Sequence, residues 1–194
     1  GAATSNAYAG DPDISGDGSL VVWASDATDV VTSPAVTTTQ IFARVLPSGP
    51  NMLASWNHAN DGEANGYCSQ PILADDEPLV VFYSTATNLL ATATSGTHVF
   101  LRDLENDTTE LISVSTGGVA GNGNSYHANI SADGRYVVFE SNATNLTTDT
   151  YPASNQQIFL RDRQLSTTVL VSVTAASATT AGNGWSNSPD VSDD

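Results

Sequence analysis

The chain has 194 residues, of which 40 % are apolar, enough for a domain with its own core. Twenty-one acidic groups face five arginines and no lysine, a net charge of −16; such a field repels phosphate backbones and anionic membrane surfaces and excludes nucleic-acid binding. No apolar run approaches the ~18–20 residues of a spanning helix, and the single cysteine, Cys68, rules out an internal disulfide framework or a cysteine zinc cluster and reads as a small buried residue.

Taken in order, the chain repeats itself. Pro12-Asp13-Ile14-Ser15 opens the first unit, and Asp17-Gly18 follows as a hairpin signal. Val21-Val22-Trp23-Ala24-Ser25 comes next, then Ala27-Thr28-Asp29-Val30, Ile41-Phe42-Ala43-Arg44 and Met52-Leu53-Ala54-Ser55. The second unit reads Pro71-Ile72-Leu73-Ala74, a degraded turn at Asp76-Glu77-Pro78, Val80-Val81-Phe82-Tyr83-Ser84, Val99-Phe100-Leu101-Arg102 and Ile112-Ser113-Val114-Ser115. The third reads Ala128-Asn129-Ile130-Ser131, Asp133-Gly134, Val137-Val138-Phe139-Glu140-Ser141, Ile158-Phe159-Leu160-Arg161 and Leu170-Val171-Ser172-Val173. The spacings of the Val-Val element are 59 and 57 residues. Pro189 to Asp194 then matches Pro12 to Asp17, three repeat lengths on.

Four short β-rich runs per unit, bounded by Gly, Asn, Asp and Ser, predict strands, and nothing shows a sustained helical period. A four-stranded sheet with apolar residues on both faces must be covered on both. Radial stacking of such sheets gives a β-propeller; a β-solenoid has shorter coils, of ~20–30 residues. The expectation is therefore an all-β chain, residues 1–194, with blades at about 11–57, 70–116 and 127–175 and the opening strand of a further blade at 188–194. The Pro-x-Ile-Ser strand should lie innermost. Phe42, Phe100 and Phe159 should be buried between blades, with Trp23, Phe82 and Phe139. Three blades are fewer than a closed ring uses. The expectation is an excerpt of a longer propeller or a copy that associates with others, and not a self-sufficient monomer. Gly1 stands where a leader was removed or where an excerpt starts.

Gly121-Asn122-Gly123 through Val173 resembles the TolB-like, WD-type β-propeller repeat of bacterial secreted and cell-surface proteins, G-N-G-x-S-x-x-P-x-I-S-x-D-G-R-Y-V-x-F-x-S-x-A-x-N-L followed by I-F-L-R-D-R and T-x-L-V-S-V. Gly182-Asn183-Gly184-Trp185-Ser186-Asn187-Ser188-Pro189 begins it again. The resemblance covers practically the whole chain and implies fold and an extracellular or cell-surface location, but not chemistry. Members often carry an acidic, calcium-suited loop before I-F-L-R-D. Here the loops from Thr32, Ala91 and Thr147 keep only Asp149, so calcium is weakly supported and no cofactor is expected.

Candidate chemistry is sparse. Asp17, Asp76, Asp133 and Asp193 recur at one turn and read as turn-formers rather than paired catalytic carboxylates. Arg44, Arg102 and Arg161 recur on the third strand, where pairing to an aspartate is expected, with Arg161-Asp162-Arg163 as a local cluster. His58, His98 and His127 fall at different phases; only His127, beside the innermost strand, is placed to reach a central channel. The sequons at Asn106, Asn129, Asn142 and Asn145 arise readily in this composition. The most suggestive positions lie in the loops between blades. Tyr8, Tyr67, Asn124 and Trp185 stand four residues before each blade opening, and Asn6, Asn65, Asn122 and Asn183 stand six before. Aromatic faces beside amides suit a glycan-binding rim, or else cap and pack the loops.

The acidic surface suits high salt, divalent cations or a secreted life. The expected function is a non-enzymatic extracellular structural or interaction module presenting a propeller face to a protein or glycan. The alternatives are self-assembly into a filament or ring through open terminal blades, and a non-catalytic part of a larger polysaccharide-active enzyme.

Overall fold

The computed structural model describes residues 8–149, 151 and 155–192. Its first sheet comprises β1 (Ala9–Ile14), β2 (Leu20–Ser25), β3 (Gln40–Val45) and β4 (Asn51–Leu53). The second comprises β5 (Cys68–Leu73), β6 (Leu79–Ser84), β7 (His98–Asp103) and β8 (Thr108–Leu111); the third, β9 (Ser125–Ile130), β10 (Tyr136–Ser141), β11 (Gln157–Asp162) and β12 (Thr167–Leu170). Within each sheet the strands pair antiparallel in chain order, as short hairpin connections dictate. No helix occurs among the described residues. The first strands lie together, β1 against β5 and β5 against β9, so the Pro-x-Ile-Ser strand is innermost as expected.

Cross-strand aromatic pairs fix the register of each blade. Trp23 lies opposite Phe42, Phe82 opposite Phe100 and Phe139 opposite Phe159, stacked at 5.9, 6.1 and 5.9 Å. Phe82 and Phe100 pack onto Val22, Ala24, Ile41 and Ala43 of the preceding blade. Phe139 and Phe159 pack in the same way onto Val81, Val99 and Leu101. The first blade differs. Phe42 is buried under Val36 and Leu53 of its own blade rather than between blades, and Trp23 is only half-buried. No blade among the described residues covers that face, which corrects the expectation for both.

The fourth strand sits earlier than expected in every unit. Ser55, Ser113 and Ser172, read as strand residues, instead turn their hydroxyls onto the third strand. Each accepts the N–H of Ile41, Val99 or Ile158, at 3.0, 3.2 and 3.0 Å, and each also bonds the side chain of Gln40, His98 or Gln157. These bonds draw the chain out of the ladder, so the blades end at Leu53, Leu111 and Leu170 rather than near 57, 116 and 175. Val173–Thr174 (β13) pairs with Ser177–Ala181 (β14) as a separate ribbon. Residues 188–192 form no strand, and 193 and 194 lie outside the described residues. The segment is held instead by side chains: Ser188 N donates to Glu140 Oε1 at 2.6 Å, and Asn129 Nδ2 to Asp190 Oδ1 at 2.6 Å.

A second repeated bond sews the units together. The amide that starts or precedes each new unit donates to the residue just before the previous third strand: Cys68 to Thr39, Ser125 to Thr97 and Ser186 to Gln156, at 2.9, 2.8 and 3.0 Å. The turn aspartates are structural. Asp17 Oδ1 accepts from Ser15 Oγ and Ser19 N, and Asp133 Oδ1 from Ser131 Oγ and Arg135 N. The backbone N–H of Ser19 and that of Arg135 are the largest cause holding both carboxyls below the usual range. Gly18 and Gly134 follow at φ +72° and +69°, where a β-carbon is strained. Asp76 does not repeat the motif, because Ala74 replaces the serine; Asp193 lies outside the described residues.

Of the third-strand arginines, Arg102 meets an aspartate as expected and Arg161 does not. Arg102 Nη1 and Arg161 Nη1 each donate to the carbonyl of the left-handed turn residue before the fourth strand, Asp107 or Ser166, at 2.9 Å. Only Arg102 adds an ion pair, to Asp107 at 2.7 Å. Asp162 pairs with Arg135, and Arg163 reaches Glu110 of the second blade. These arginines clamp turns because five donors can bridge a turn carbonyl and a strand threonine together. Cys68 is fully buried, and burial pushes its thiol up to about 12, the state of an inert structural cysteine.

His98 occupies the position that Gln40 and Gln157 fill in the other blades, with Nδ1 3.0 Å from Ser113 Oγ and Nε2 3.0 Å from Ser95 O. Burial pushes its imidazole below the usual range, so the folded state keeps it neutral while the unfolded chain binds the proton. Its share of stability is complete above the ordinary pKa of about 6.5 and is lost as pH falls through and below it. His98→Gln should flatten that part of the acid limb, read as urea midpoints across the window. A profile that keeps its slope would assign the acid sensitivity to another group.

Candidate functional site

Each inner strand carries the same irregularity. Asp11-Pro12 oppose Trp23 alone, Gln70-Pro71 oppose Phe82, and His127-Ala128 oppose Phe139. The first residue of each bulge is left-handed, at φ 50°, 52° and 44° for Asp11, Gln70 and His127, and Ser188 takes φ 52° at the matching phase. A bulge re-aims side chains. All four residues line one hollow of about 360 Å³ at the meeting of the inner strands, with Pro12, Pro71, Pro189 and Ile72 as apolar walls.

Several of the polar groups there offer acceptors. Asp11 Oδ2 accepts from Ser69 Oγ at 3.0 Å, and Ser69 Oγ in turn accepts from the Tyr67 hydroxyl at 3.1 Å. Gln70 Oε1 is buried without a hydrogen-bond partner. His127 Nδ1 lies 3.0 Å from Oε2 of Glu140, whose side chain is 2 % exposed. In the neutral ring, an Nδ1–H donated to that carboxylate leaves Nε2 as an acceptor. Beside it, Tyr83 meets Tyr126 edge-on at 5.4 Å and His127 at 6.4 Å. Burial raises the Tyr83 phenol, and the Asp11 charge raises that of Tyr8. Among the described residues no arginine lines the hollow.

Of the residues expected to form a rim, Asn6 lies outside the described residues. Asn65 and Asn122 are loop braces: Oδ1 accepts from the N–H of Thr87 or Thr144, and Nδ2 donates to the same threonine's hydroxyl. Asn124 Oδ1 accepts from Thr97 N at 3.1 Å. Asn183 and Trp185 are exposed. Tyr8 and Tyr67 are about half exposed, and Tyr67 joins the hollow through Ser69. His58 is on the surface and His98 is in the core. The structure thus brings together His127 and the Tyr67 side of the rim, and adds Asp11, Gln70, Ser188 and Glu140, whose bulge phase no shared residue type advertises.

No family model matches the chain, and no curated protein sequence matches it. Solved structures do. TolB from Acinetobacter baumannii superposes with a TM-score of 0.51 at 14 % identity, over 83 % of this chain and 31 % of its own. The fold is that of part of a β-propeller. An oligogalacturonate lyase in complex with manganese gives a TM-score of 0.54 at 14 % identity, over 86 % and 41 %. The propeller domain of the trilobed protease from Pyrococcus furiosus, with an open velcro topology, gives 0.50 at 11 %, over 86 % and 43 %. The chain spans less than half the length of each. No helix among the described residues is long and apolar enough to cross a membrane.

Proposed function

We propose that this propeller chain is a non-enzymatic extracellular interaction module whose axial face binds a protein or glycan partner. The observation that carries the reading is the hollow. Three successive blades each deliver one polar side chain to it from the same left-handed bulge position, Ser188 adds a fourth at the matching phase, and the Oε1 of Gln70, one of the lining residues, is buried unpaired. A buried acceptor without a donor costs about 1–3 kcal/mol, which a bound donor relieves. With Asp11, Gln70 and His127 all offering acceptors, the fitting group is a hydroxyl or an ammonium on an apolar stem.

The test is binding of the chain to immobilised neutral, amino and acidic glycans and to lysine-bearing peptides. Neutral or amino probes should be retained and acidic ones not. Gln70→Leu, Asp11→Ala and His127→Leu should each weaken retention about tenfold or more, the effect of losing some 1.4 kcal/mol. Retention indifferent to all three variants, or depolymerisation of a glycan, would overturn the reading.

The half-covered Trp23 face, with Val45 and Leu46 exposed beside it, favours self-assembly as a second reading. Sedimentation of the chain in high salt, which screens the net charge, separates the two: a non-associating monomer excludes assembly.

A further inference from the structure

The sequence holds three Asn-Gly pairs at one phase of the repeat, Asn65-Gly66, Asn122-Gly123 and Asn183-Gly184. We propose that Asn183 alone is a site of spontaneous deamidation. In that reaction the glycine backbone nitrogen attacks the asparagine side-chain carbonyl carbon. A new C–N bond closes a succinimide, the bond to the side-chain nitrogen breaks, and ammonia leaves with the backbone proton. Water then opens the ring at either carbonyl, giving aspartate or isoaspartate. The step needs a carboxamide free to swing onto the next nitrogen and a next residue free to turn.

The fold denies both at the first two pairs. Asn65 Oδ1 accepts from Thr87 N at 2.8 Å while Nδ2 donates to Thr87 Oγ1 at 2.9 Å, and Asn122 is tied to Thr144 in the same way at 2.7 and 2.9 Å. Their glycines are wedged against the neighbouring loop, where a β-carbon would stand 2.6 Å from Ala86 N or 2.8 Å from Ala143 N. At the third pair nothing holds the reacting atoms. Asn183 is exposed, its backbone carbonyl accepts from Asn155 Nδ2 at 3.1 Å, and its carboxamide has no hydrogen-bond partner among the described residues. A β-carbon on Gly184 would meet nothing within 4 Å. Conversion places a new carboxylate next in sequence to Gly184, whose carbonyl accepts from Gln157 Nε2, and two residues before the exposed Trp185.

The purified chain is aged in mildly alkaline buffer, digested, and its peptides are weighed and assayed for isoaspartate by enzymatic methylation. The Asn183 peptide should gain one mass unit and methylate, while the Asn65 and Asn122 peptides stay unchanged over the same time. Aged in urea, all three should convert alike, because the protection belongs to the fold. Thr144→Val, which removes one of the two ties, should raise conversion at Asn122. Equal conversion of the three in the folded chain, no conversion at Asn183, or a difference that persists in urea overturns the proposal.

Discussion

Phe139→Ala lowers the stability of the chain by about 3–5 kcal/mol, the range for removing a large buried aromatic side chain. Phe139 is completely buried, stacks on Phe159 at 5.9 Å, and touches the second blade through the cluster containing Val81 and Leu101. Truncation removes apolar area from both blades at once and leaves a cavity that neither rigid sheet can close. The urea midpoint should fall with little change in slope. Trp23→Ala is the comparison at the same register position: half-buried with an open face, it should cost clearly less. A loss at Phe139 below about 1 kcal/mol would mean that the facing of the blades is assigned wrongly.

Gly123→Ala is expected to destabilise by about 1–3 kcal/mol, the cost of overpacking. The new methyl would lie 2.5 Å from Asn142 Oδ1 and 2.8 Å from Ala143 N. Relief would require the two loops braced by Asn122 and Thr144 to separate. Gly184→Ala, at the same phase with open space around it, should stay within about 0.5 kcal/mol of the parent, as surface changes do. Similar losses in the two variants would show that backbone freedom at glycine, rather than the close approach, sets the cost.

Much of the fold was legible because the repeat states it three times. The Val-Val-aromatic run, the aromatic of the third strand and the Asp-Gly turns recur in phase, and each becomes a strand or hairpin. The fourth strand was misplaced because serine in an apolar run looks like a strand residue. Its hydroxyl, bonded back to the third strand, ends the ladder instead. Charge counting favours carboxylate partners, which holds for Arg102 with Asp107, whereas Arg161 Nη1 donates to the Ser166 carbonyl and Thr168 Oγ1. The hollow was nearly invisible. Comparison of repeats rewards identity, and its lining position reads Asp, Gln, His and Ser in turn. Only the histidine was of a type that draws notice.

That variability has a consequence for how such a chain can change. Non-glycine residues held left-handed cost about 1–2 kcal/mol each relative to the ordinary conformation. Glycine would relieve that strain at position 11, 70, 127 or 188, yet each carries a polar side chain that lines the hollow. The backbone shape comes from the bulge, not from the residue that occupies it. One position per blade can therefore be exchanged while the aromatic stacks, seams and turns beneath stay untouched. On the proposed reading of the hollow, recognition and folding are encoded by different letters of the repeat, so a new specificity could be composed blade by blade without redesigning the core.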